Sequence, residues 1–118
     1  MASLETNVVL QPVGDLVIVP LRGPVHRAMI EELNVKVLDY LHRVGARGVV
    51  FDMAGVDILD EEDFQDLRGV TQSAGLMGAP VVLAGVQPGV AAGLTMLGVD
   101  DHWVRATQTV DQATEYFR

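Results

Sequence analysis

Val49-Val50-Phe51-Asp52-Met53-Ala54-Gly55-Val56-Asp57-Ile58-Leu59-Asp60-Glu61-Glu62-Asp63-Phe64 reads as an apolar strand, a tight turn and a helix that opens on four consecutive acids. A strand carries the backbone to a fixed place, and a helix start presents unpaired N–H groups at the positive end of its dipole. The strand-to-helix junction is therefore the first place to look for chemistry. Here it holds a block of negative charge, with no nucleophile and no hydroxyl.

Upstream of this stretch, Val8-Val9-Leu10 suits a short first strand, and Pro12-Val13-Gly14-Asp15 has turn chemistry. Leu16-Val17-Ile18-Val19 is a continuous apolar run, as in a strand covered on both faces, and Pro20 and Arg22-Gly23-Pro24 close it. Met29, Ile30, Leu33, Val37, Leu38, Leu41 and Val44 then recur at helical spacing, with Gly45 where a left-handed cap belongs. Gly48 to Met53 is the central strand, with Gly55 and Asp57 in the turn after it. The helix from about Asp60 buries Phe64, Leu67, Val70, Ala74 and Met77 and stops at Gly78.

Downstream, Val81 to Ala84 forms a fourth strand and Gln87-Pro88 opens a third helix that ends at Gly98. His102-Trp103-Val104 is the candidate last strand, and Asp111 to Phe117 a terminal helix that docks through Val110, Ala113 and Phe117. The order is β-β-α-β-α-β-α-β-α. Strands alternating with helices require right-handed crossovers, so the class is α/β, a mostly parallel mixed sheet of about five strands with about four helices. All 118 residues make one domain, with residues 1–6 expected to lie outside its packed part.

The bulk numbers remove several classes of function. A net charge of −8 opposes binding to nucleic acid or an anionic membrane, since both need a cationic footprint. With no cysteine, disulfides and thiolate metal sites are out. Met1 to Glu5 lacks a basic start followed by an apolar run, which predicts no signal peptide and a cytoplasmic protein. Ala79 to Val99 is uncharged over a length that would span a bilayer. Its Gly85-Val86-Gln87-Pro88-Gly89 break leaves backbone groups unsatisfied in lipid, so it reads as a buried strand, a turn and a helix.

The acids Asp60, Glu61, Glu62 and Asp63 fit helix-start stabilisation, worth roughly 0.3–1 kcal/mol each. With Asp57 they also raise a divalent cation or a charge-reading partner, although their spacing is not that of a calcium loop. His26, His42 and His102 share no ligand spacing, and Ser3 and Ser73 sit in no nucleophile-elbow context. Without a phosphate-binding glycine motif either, the residues assemble no enzyme and call for no cofactor. Gly85, Gly89 and Gly93 fall four apart beside Ala91 and Ala92, a ridge for close approach to the sheet or to another subunit. Val86, Val90 and Leu94 beside it fit a self-association patch.

Four stretches together resemble the STAS domain, the fold of bacterial anti-sigma factor antagonists. They are Leu21-Arg22-Gly23-Pro24, Gly48 to Val56, the Asp60 turn, and Leu76-Met77-Gly78-Ala79-Pro80-Val81-Val82-Leu83-Ala84-Gly85-Val86-Gln87-Pro88, and the likeness runs from about Val8 to Phe117. The last stretch, continued by Gly89-Val90-Ala91-Ala92 and Leu97-Gly98, looks most like the small single-domain stressosome scaffolds. That resemblance implies no enzymatic activity, assembly with itself and with STAS-domain sensor paralogues, and sequestration of a serine/threonine switch kinase. It implies a regulatory serine just after an aspartate at the start of the second helix. Carried onto this chain, the aspartate is Asp60 and the acceptor position is Glu61, with Asp57, Asp60, Glu62 and Asp63 as the partner-facing switch region. Val86, Gln87, Pro88 and Val90 become candidates for the assembly surface. Glu61 accepts no phosphate, so either the switch is lost or the glutamate mimics a phosphoserine with about one charge instead of −1.5 to −2. The alternatives are an antagonist that pairs one-to-one with an anti-sigma kinase, and a STAS subunit of a lipid or anion transporter; acid–base chemistry by Asp57 and Glu61 is the enzyme reading.

Overall fold

The computed structural model describes residues 8–99 and 102–118, so residues 1–6, expected outside the packed domain, lie outside the described residues. The elements are β1 (Gln11–Val13), β2 (Leu16–Pro24), α1 (Arg27–Arg43), β3 (Gly48–Ile58), α2 (Glu61–Leu76), β4 (Val81–Ala84), α3 (Pro88–Met96), β5 (Ala106–Thr107) and α4 (Val110–Tyr116). The strands lie in the order β1-β2-β3-β4-β5, with β1 antiparallel to β2 and the other neighbours parallel. When parallel strands follow in sequence order, right-handed crossovers put every crossover helix on one face. Residues of α1, α2 and α3 accordingly share one core with Val17, Val19, Val49, Phe51 and Leu83. Helix α4 closes the opposite face, packing Ala113 and Phe117 on Leu16, Val50, Val82 and Ala84.

Alternation along the central strands explains why they read as continuous apolar runs: Val49, Val50 and Phe51 are all fully buried, on alternate faces. In α1 the buried set is Ile30, Leu33, Val37 and Leu41, and in α2 it is Phe64, Leu67, Val70 and Ala74. Val44 and Met77, expected in these stripes, are instead the C-cap residues and are exposed. Gly45, Gly78 and Gly98 end the first three helices with φ of 89°, 85° and 68°, as read from the sequence.

The hairpin lies later than its apolar pattern suggests. Val13 pairs with Leu16 across the two-residue Gly14-Asp15 turn, so turn chemistry sets the register and β1 begins at Gln11 instead of Val8. Val8 is buried in the helix-side core, and its carbonyl oxygen accepts a hydrogen bond from Lys36 Nζ at 2.7 Å. Strands β2 and β3 run on past their expected ends. Beyond Ile18 there is no β1 beside β2, and proline is tolerated at such an edge. The pairing then slips twice, from Pro20↔Asp52 to Arg22↔Gly55 to Pro24↔Ile58. Gly55, expected in a turn, sits at this irregularity because a Cβ there would lie 2.9 Å from the Leu21 carbonyl oxygen.

The last strand also moves. β5 is Ala106–Thr107, paired to Leu83 and Ala84, whereas Trp103 packs its ring against Phe64 at 4.7 Å between centroids. Trp103 and Val104 thus pack against the core while His102 is exposed, and a two-residue edge strand has too few positions for a pattern to register. Among the described residues no helix is long and apolar enough to cross a membrane.

Candidate functional site at the start of the second helix

Strand β3 overshoots β4, which ends opposite Asp52, and delivers Ile58 to the tip of a two-stranded ribbon. Two residues later Asp60 takes extended backbone angles (φ −88°, ψ 176°) and caps α2. Its Oδ1 accepts the Asp63 N–H at 2.8 Å, and its carbonyl oxygen accepts the Phe64 N–H at 3.0 Å. Phe64 is buried against Trp103 and fixes the first turn to the core. Burial of a side chain of that size contributes roughly 1.5–3 kcal/mol. The first helical turn is therefore rigid in backbone and anionic in side chains.

Glu61 occupies the first helical position and Glu62 the second, and both are exposed; Asp63 is half-buried. Burial pushes the Asp63 carboxyl up from the ordinary aspartate range, and the neighbouring charges of Asp60, Asp66 and Glu62 push the same way. Asp57 and Ile58 are exposed on the ribbon tip, and Ile58 is the apolar residue of this acidic end that the sequence reading missed. An isolated β-branched residue beside a turn carries no period that separates an outward side chain from an inward one.

The hydroxyls of α2 are engaged farther down the helix: Thr71 Oγ1 donates to the Arg68 carbonyl at 2.7 Å and Ser73 Oγ to the Gly69 carbonyl at 3.0 Å. Among the described residues no three His, Asp or Glu side chains converge as metal ligands would. His26 is the N-cap of α1, its Nδ1 accepting the Met29 N–H at 3.3 Å, while His42 is in the last turn of that helix. A depression of about 450 Å³ between α1 and α2, lined by Arg27, Glu31, Asn34, Asp66 and Ser73, is a second concavity that the sequence did not indicate.

The candidate assembly residues divide. Val90 is 8% exposed and belongs to the core, and Val86 packs against it. Gln87 donates from Nε2 to the Ala54 carbonyl at 2.9 Å, clamping the start of α3 to the β2–β3 ribbon, and Pro88 is exposed at the helix start. The glycine ridge is also corrected: Gly85 precedes α3, and Gly89 and Gly93 face outward, because Val90 and Leu94 hold the opposite stripe in the core.

Known proteins extend this picture. The STAS domain family matches residues 7–113, and the chain belongs to it. The fold is similar to a serine-to-glutamate variant of RsbS from Moorella thermoacetica (TM-score 0.78, 23% identity, 95% of each chain). It is also similar to a chain of the stressosome, a signal integration and transduction hub (TM-score 0.74, 21% identity, 92% of this chain and 95% of that one). The unphosphorylated anti-sigma factor antagonist SpoIIAA is a third likeness (TM-score 0.67, 13% identity, 92% of this chain and 94% of that one). No curated protein matches by sequence.

Proposed function

We propose that this STAS domain protein is a non-enzymatic scaffold of the stressosome type. It assembles in the cytoplasm with STAS-domain sensor paralogues and with itself, and its Asp57–Asp63 end holds a serine/threonine switch kinase. Glu61 takes the regulatory phospho-acceptor position. The observation that carries this reading is the placement of Glu61: exposed, first in α2, directly after the capping Asp60. A negative group at that position is favourable to the helix whether it is a carboxylate or a phosphate. Charge there leaves the fold in place and alters only what a partner meets. Glu61 thus acts as a partial phosphate mimic, or as a fixed charge in a form that does not toggle.

Glu61→Ser tests the reading. A cognate switch kinase phosphorylates the Ser variant and leaves the parent chain unmodified, and the unphosphorylated variant captures the kinase in a complex with a sensor-type STAS partner, seen by size exclusion with light scattering. Monomers alone and no kinase capture by Glu61→Ser would sink it. Likeness to SpoIIAA favours a second reading, a one-to-one antagonist of an anti-sigma kinase; a kinase pair that never joins a larger assembly selects it.

A further inference from the structure

The depression of about 450 Å³ between α1 and α2 has the buried Ile30 and Val70 in its apolar part, and three charges line the rest. These are the Arg27 guanidinium and the carboxylates of Glu31 and Asp66. Helix α1 sets opposite charges four apart at Arg27/Glu31, Glu32/Lys36 and Asp39/Arg43. The last two pairs close, at 2.7 and 2.9 Å, whereas among the described residues the side chains of Arg27, Glu31, Asn34 and Asp66 enter no ion pair or hydrogen bond. Two local rules are broken at the same place. Arg27 is the first residue of α1, where the helix dipole disfavours a cation. Gly69 stands in the middle of α2, where glycine weakens a helix, yet a Cβ on it would meet nothing within 4 Å. The domain's own packing requires neither residue, and conflicts of this kind mark functional positions. The glycine keeps the depression open, and the arginine adds a cation to the positive end of a helix.

We propose that this depression binds a free basic amino acid, a lysine- or arginine-like zwitterion with one further cation. The charges complement each other. The lining offers one positive and two negative groups, and the ligand two positive and one negative. Its carboxylate pairs with Arg27 at the positive end of α1, in the bidentate geometry a guanidinium allows. The ammonium and the side-chain cation go to Glu31 and Asp66, and the aliphatic stem lies on Ile30 and Val70. Asn34 supplies a donor and an acceptor. The Ser73 hydroxyl gives its proton to the Gly69 carbonyl at 3.0 Å and is left as an acceptor. Arg27 to Asn34 covers about two turns, roughly 10 Å along the helix axis, room for the extended chain of such a ligand. Burial and the charges of Asp60 and Asp66 raise the Asp63 carboxyl, so a cation held at Asp66 is felt at the acidic start of α2. The site stands whether or not that start holds a kinase.

Titration of the isotope-labelled protein with L-arginine at low salt, followed by NMR, tests the site. Saturable shifts in α1 and α2 around Gly69 are expected, with a Kd on the order of 1 mM for so open a site. Gly69→Gln fills the depression. Glutamine is a better helix former than glycine, so the variant keeps its thermal midpoint while binding falls at least about tenfold. Arg27→Gln weakens L-arginine about tenfold but leaves agmatine, which keeps the guanidinium and amine and lacks the carboxylate, no weaker. Equal loss of both ligands removes the carboxylate from Arg27 and overturns the assignment. No saturation by about 20 mM L-arginine overturns the site. So do shifts that centre on the Asp57–Asp63 turn and persist in Gly69→Gln, which mark the general attraction of a cation to an acidic chain. Binding of N-acetyl-L-arginine amide as tight as that of L-arginine makes a partner's side chain the occupant and overturns the free amino acid.

Discussion

The ring of Phe117 lies directly over Gly48, so closely that a Cβ on Gly48 would collide with the ring edge. Gly48 opens β3 and Phe117 follows α4, which makes this pair the fixing point of the only helix on its face of the sheet among the described residues. Gly48→Ala overpacks the contact and should cost about 1–3 kcal/mol in urea unfolding. Phe117→Leu reshapes the ring side, and the double variant should lose less than the sum of the two singles. Simple additivity would show that α4 does not rest on this contact.

Asp60 is the residue that starts α2. Asp60→Ala removes the acceptor for the Asp63 N–H and should cost about 0.5–2 kcal/mol, whereas Asp60→Ser keeps a capping oxygen and should stay near the parent. Glu61→Ala removes charge without a hydrogen bond and should stay within about 0.5 kcal/mol. Chemical denaturation of the three variants separates the cap that builds the turn from the charge it displays. Equal losses for Asp60→Ala and Glu61→Ala would contradict that division.

This division also marks how far the sequence could be read. Residues whose role follows from a period or a local rule were legible: the stripes of α1 and α2, the Asp60 cap, the glycine stops and the buried runs of β2, β3 and β4. Residues whose role depends on what arrives from elsewhere were not. Gly55 looks like a turn residue until Leu21 is placed beside it, and Trp103 looks like a strand residue until Phe64 meets its ring. The same holds for α3, where Val90 and Gly89 are both credible surface residues until the core takes one stripe. The acidic helix start was legible because charge at a helix start is a local signal.

His26 caps α1 with a ring nitrogen at 3.3 Å, a long hydrogen bond, and no acid lies in the first turn of that helix. Aspartate is among the strongest capping residues and adds a negative charge at the positive helix end. His26→Asp should therefore stabilise the protein by about 0.5–1 kcal/mol, raising the thermal midpoint by a few degrees. A lowered midpoint would mean that the imidazole makes contacts beyond the cap.

Asp63 should make the stability of the domain fall as pH rises through the carboxylate range. Its folded pKa is raised above the unfolded value, chiefly by burial and next by the charge of Asp60. In that window the native state binds more protons than the unfolded chain, so stability decreases with pH and stays reduced at neutrality. Asp63→Asn removes the ionisation while keeping the shape. The variant should be more stable than the parent at pH 7, by less than about 0.5 kcal/mol because Asp63 is partly exposed and solvent screens it. The gap should close below pH ~4, where the parent carboxyl is protonated, and it should shrink in high salt. Urea midpoints measured against pH for both proteins decide the point. A gap that widens on acidification would show that the ionised Asp63 stabilises the helix start, and that the dipole outweighs the crowding of carboxylates around it.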